Sequence, residues 1–63
     1  MSYRTITSFT DDDNEIEVEH HATLLIANAF ASGEIDHPSV AYIEVYKVDE
    51  NGDYKVSQFF NNT

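Results

Sequence analysis

The sequence predicts an α+β domain in which one long helix packs across one face of a three-stranded antiparallel sheet, the elements following in the order β-α-β-β. Three observations predict it. Residues 3–9 and 40–48 alternate side chains with the two-residue period of a half-buried strand. Residues 10–33, TDDDNEIEVEHHATLLIANAFASG, open on cap-forming residues, turn apolar and close on a glycine. Asn51-Gly52 sits between two strand-like runs, the strongest short-range signal for a hairpin. Sixty-three residues provide for a single domain, 1–63, and little more.

The first strand is predicted over 3–9, where Tyr3, Thr5, Thr7 and Phe9 alternate with Arg4, Ile6 and Ser8. The helix is predicted over 11–32. Thr10 can cap it, with Asp13 reaching back as in a capping box. Asp11, Asp12 and Asp13 fill a first turn in which the macrodipole favours negative charge, and Gly33 offers the left-handed residue that ends a helix. At the 3.6-residue period Val18, Ala22, Leu25 and Ala29 share one stripe, and Ile16, Thr23, Ala27 and Phe30 a second, with Ile26 between them. A helix this apolar requires cover on more than one side. The run EIEVE at 15–19 also alternates as a strand would, so a helix starting near Glu19 is the competing expectation.

A short connector, 34–39, contains Pro38 and leads into the strand 40–48, VAYIEVYKV, rich in β-branched and aromatic residues. Ala41, Ile43, Val45 and Lys47 form the face expected under the helix; Val40, Tyr42, Glu44, Tyr46 and Val48 form the open one. The last strand is predicted over 54–60. A strand–helix–strand passage leaves its two strands parallel, so placing the third strand between them gives an antiparallel sheet of order 1-3-2, with 1-2-3 as the alternative.

Twelve acidic residues against three basic ones give a formal charge of −9, and six of the acids fall between Asp11 and Glu19. Direct nucleic-acid binding and attachment to anionic membranes are excluded as expectations, because both need clustered Lys and Arg, whereas Arg4, Lys47 and Lys55 are isolated in sequence. The charge suits a partner with a basic surface. With neither a secretory leader nor an 18-residue apolar run, a cytoplasmic location is expected.

Catalytic and metal chemistry find little support. There is no cysteine, no glycine-rich phosphate loop and no serine in a nucleophile context. His20 and His21 are adjacent and would point about 100° apart on a helix, too far to share one metal. In DENGD, 49–53, the glycine falls at position four where a calcium loop needs it at six. No enzyme activity, cofactor or metal is therefore expected. A chain so short, with no disulfide to staple it, is expected to self-associate, and a homodimer is the preferred state.

Two binding functions are compatible with these features. In the first, Asp11, Asp12, Asp13, Glu15, Glu17 and Glu19 form a carboxylate array, with i, i+4 rows such as Asp11, Glu15, Glu19, that occupies the basic nucleic-acid-binding surface of a host protein. In size, charge and element order the chain resembles the small acidic proteins that phages encode against host defence and repair: anti-CRISPR proteins, antirestriction proteins and uracil-DNA glycosylase inhibitors. The resemblance implies an inhibitor acting in the host cytoplasm as a DNA mimic, and it rests on no family motif. In the second, the chain is a homodimeric adaptor or regulatory subunit that binds through Val18, Leu25, Ala29, Tyr42, Tyr46 and Phe60.

Overall fold

The computed structural model describes residues 2–11 and 15–61. Strand β1 (Ser2–Phe9) is followed by strand β2 (Ile16–His21), helix α1 (Leu24–Glu34), strand β3 (Val40–Asp49) and strand β4 (Gly52–Phe60). The strands form one four-stranded sheet in the order β2-β1-β3-β4, with every neighbouring pair antiparallel. The helix lies against one face. This overturns the expected three-stranded sheet of order 1-3-2 and the expected long helix.

The correction originates in residues 16–21. Ile16, Val18 and His20 lie on one side of β2 and Glu17, Glu19 and His21 on the other, with Val18 opposite Ile6 and Glu19 opposite Thr5. β-branched Ile16 and Val18 favour this extended form, and a helix would have set Glu15 and Glu19 as a repulsive i, i+4 pair. Because β2 folds back along β1 before the helix begins, the chain crosses to the other edge of β1 and β3 arrives antiparallel to it. No parallel pair arises that a third strand would need to separate.

The helix is capped by Thr23 rather than Thr10. Thr23 is extended, with φ −135 and ψ 158, and its side chain accepts a hydrogen bond from the Ile26 N–H at 3.1 Å. Gly33 lies inside the helix. The chain leaves at Ile35 in right-handed conformation, its N–H bonded to the Ala31 carbonyl at 2.9 Å, so no left-handed glycine ends the helix.

Ala27 and Ala31, both fully buried, face the sheet and pack with Val40, Ile43 and Val45. Beneath the helix β1 contributes Thr5 and Thr7, also buried, and Tyr3, Phe9, Ile35 and Phe59 surround the cluster. Two irregularities refine the expected faces. The register shifts between Ser8 and Phe9, so Phe9 pairs with Val40 and Ala41 is the extra residue; Val40 thereby joins the core instead of the open face. A second shift leaves Val56 extra in β4, setting Tyr54 opposite Lys47 on the helix side and Phe60 opposite Tyr42 on the open side.

The β3–β4 turn holds Glu50 and Asn51 between the paired Asp49 and Gly52. Asp49 Oδ1 accepts from the Asn51 N–H at 2.8 Å. The positive φ falls on Gly52 alone, at 120°, and not on Asn51. Among the described residues no helix is long and apolar enough to cross a membrane.

Candidate functional site

β2 is an edge strand, paired on one side only. Residues two apart on a strand project to the same side at about 6.6 Å intervals, so Glu17 and Glu19 form an exposed carboxylate row along this edge, which Glu15, just before the strand, extends by lining the same cleft as Glu17. The helical i, i+4 rows predicted for these acids do not exist. Glu15 and Glu17 instead join Phe9, Asp11 and Ser39 around a cleft of about 250 Å³. Asp12 and Asp13, also predicted for this surface, lie outside the described residues.

Hydrogen bonds between two loops build the cleft. The Thr10 N–H donates to the Ser39 carbonyl at 2.9 Å, tying the β1–β2 connection to the α1–β3 connector. The Thr10 hydroxyl lies within reach of the same carbonyl, 3.3 Å, and of Asp11 Oδ1, 3.2 Å. Ser39 is held in turn by His37, whose Nδ1 accepts from the Ser39 N–H at 3.2 Å and lies 2.7 Å from Ser39 Oγ. With Nδ1 accepting, the neutral ring carries its proton on Nε2.

The same end of the molecule receives the C-terminus of α1, and with it Glu34 and Asp36. The first helical turn contains no acid and the last no base. The partial negative charge of the helix end is therefore added to that of the carboxylates instead of offsetting it.

The cations, isolated in sequence, are gathered elsewhere. Arg4 bridges to Asp53 at 2.5 Å and lies over the Tyr46 ring, 5.5 Å from its centroid. Lys55 reaches Glu44 at 3.5 Å and Gln58 at 2.9 Å. Lys47 lies 5.8 Å from the centre of the Tyr54 ring, and a hydrogen bond with the Tyr54 side chain is the main cause of its raised pKa. Among the described residues, none of Asp11, Glu15, Glu17, Glu19, Glu34 and Asp36 meets a cation in an ion pair.

The apolar residues expected to act together are divided between two sides of the molecule. Val18, Tyr42, Tyr46 and Phe60 belong to the open sheet face, where the Tyr42 and Phe60 rings stand 6.4 Å apart. Leu25 and Ala29 lie on the helix surface turned away from the sheet, with Leu25 80% exposed. The predicted stripe through Val18, Leu25 and Ala29 thus does not form. The open face also takes Ile6, which carried no signal beyond its place in the alternation, and Ile16, which was expected on a second helical stripe that does not form, while Phe9 and Ser39 reach the cleft through loop contacts that no sequence spacing marks.

His20 and His21 point to opposite sides of the sheet, as neighbours on a strand must. His21 lies on the helix side, its Nε2 3.1 Å from Thr5 Oγ1 and its ring 5.0 Å from Phe30. Among the described residues no group of three or more His, Cys, Asp or Glu side chains is placed to hold a metal ion. The action this arrangement offers is electrostatic: an exposed, uncompensated row of carboxylates on a firmly hydrogen-bonded edge. No family model, curated protein or solved structure matches the chain.

Proposed function

We propose that this protein is a non-enzymatic inhibitor, of the kind phages direct against host defence, restriction or DNA repair, that sets its acidic edge on the basic nucleic-acid-binding surface of a host protein inside the host cell. The observation that carries this reading is the segregation of charge. Among the described residues Asp11, Glu15, Glu17, Glu19, Glu34 and Asp36 gather without ion-pair partners along β2 and the adjoining end, while Arg4, Lys47 and Lys55 lie toward the β3–β4 hairpin, where Glu44, Asp49, Glu50 and Asp53 offset them.

Two further features support it. The step of about 6.6 Å between carboxylates on one side of β2 is comparable with that between neighbouring phosphates on a nucleic-acid strand. In addition, Glu34 sits in the last turn of α1, where the macrodipole disfavours it by roughly 0.3–1 kcal/mol. Solubility alone would be served as well by an acid in the first turn. Placement against the stability of the helix is explained by a use for negative charge at that end.

Immobilised protein incubated with host lysate at low salt should retain a nucleic-acid-binding protein, released by competing DNA or RNA and by raising salt from roughly 0.05 to 0.5 M. Reversal of the row, Glu15→Lys with Glu17→Lys and Glu19→Lys, should abolish retention without changing the circular dichroism spectrum. Retention that survives the triple reversal, or that ignores both salt and nucleic acid, would contradict the proposal.

A further inference from the structure

The sheet face opposite the helix has a different character from the rest of the surface. Its ionised residues are Arg4 and Lys55 on one side of the balance and Glu44 and Asp53 on the other, and they neutralise one another in the Arg4–Asp53 and Lys55–Glu44 pairs. In a chain of formal charge −9 this face carries no net charge. It is also apolar toward one end. Ile16, Tyr42 and Phe60 share a cross-strand row with Ser8, and Val18 and Ile6 share the next with Glu44 and Gln58, with Phe60 63%, Ile16 53% and Val18 44% exposed.

From these features we infer that two copies of this chain pair through their open sheet faces, about a two-fold axis, to form a sandwich with the helices outside. The occupant follows from charge and area. A second copy approaching the β2 edge or the helix end meets like charge, whereas at the open face it meets a neutral surface whose own ion pairs can be shared across the axis. The molecule measures 34 × 23 × 14 Å. Its broad face therefore offers a footprint of roughly 600–800 Å², against the about 800 Å² per partner of a standard interface. The helix offers a smaller patch, confined to its first two turns, where Leu24, Leu25, Ile26 and Ala29 are exposed and Leu25 most of all at 80%. Pairing also supplies a second core to a chain whose buried apolar residues include two alanines.

Sedimentation equilibrium of the whole protein over a series of salt concentrations tests the inference. The expected mass at micromolar concentration is twice the 7.2 kDa of the chain, with a several-fold tightening as salt screens the repulsion between two acidic bodies. Partner capture through the acidic edge weakens with salt, so the two proposals respond in opposite directions, and the Glu15, Glu17 and Glu19 reversals should leave the dimer intact. Val18→Asp and Phe60→Asp, both at exposed positions, should give folded monomers, while Leu25→Asp should remain dimeric. A single-chain mass up to roughly 100 μM, a dimer that loosens as salt rises, or dissociation by Leu25→Asp but not by the sheet-face variants would overturn it. Should the sheet-face variants not fold, the salt series on the unaltered chain decides alone.

Discussion

Ala27 and Ala31 determine how closely the helix approaches the sheet. Both are fully buried, and what lies beneath them includes Thr5 and Thr7 as well as aliphatic residues. Small residues above and threonines below let the two layers meet with little volume between them, which is why so few large side chains are buried. The other decisive residue is Thr23. Its side chain satisfies one of the orphan N–H groups of the first turn, so Thr23→Ala should lower stability by about 1 kcal/mol. Thr10→Ala should leave the helix content unchanged, because Thr10 joins the β1–β2 connection to Ser39 and caps nothing. Urea denaturation followed by circular dichroism separates the two, and equal losses would contradict the assignment of the cap. In the sequence Thr10, with three aspartates after it, is the more conspicuous cap; Thr23 has Ile26 three positions on and no carboxylate to complete a capping box. A cap is chosen by where the chain can begin to pack, which here depends on Ala27 and Ala31 finding the sheet.

At the scale of elements, the alternating runs are legible and the transitions between them are not. Residues 40–48 were expected as a strand and β3 covers Val40–Asp49; residues 3–9 were expected likewise and β1 covers Ser2–Phe9. In both, β-branched and aromatic residues at period 2 leave no helical alternative. β2 was hidden because Ile16 and Val18 also fit the apolar stripe of a longer helix, and because the aspartates before them imitate a helix start. The acids of the candidate surface were legible as a group. Their arrangement was not, since it depends on whether 16–21 is helix or strand. The bulges that move Val40 into the core and Tyr54 to the helix side have no signature in a single sequence either. Glu34 marks an element at odds with its own charge. Replacing it by glutamine should stabilise the fold by about 0.3–1 kcal/mol and weaken capture of a basic partner, whereas a loss of stability would show that the carboxylate serves the helix instead. Along β2, Glu17 and Glu19 have a second effect, for charge on a free edge discourages pairing with another strand. That leaves the edge open to a cationic surface and closed to aggregation.

The whole molecule is a slab with two unlike sides. One broad face is neutral, and toward one end apolar and aromatic. Among the described residues the β2 edge and the C-terminal end of the helix carry acids without ion-pair partners, while Arg4, Lys47 and Lys55 lie nearer the β3–β4 hairpin, among Glu44, Asp49, Glu50 and Asp53. The segregation accounts for both inferences, because the same net charge that attracts a basic partner confines self-association to the one face that lacks it. It also accounts for how little the composition alone disclosed: a charge of −9 gives the amount of charge but not its placement, and placement follows from the order of the strands. The most direct measurement of that placement is a titration of a short lysine-rich peptide into isotopically labelled protein, read residue by residue from backbone amide chemical shifts. The account predicts the largest shifts at Asp11, Glu15, Glu17, Glu19 and Glu34, all collapsing as salt is raised. Shifts of equal size around Asp49, Glu50 and Asp53, or across the open sheet face, would contradict it.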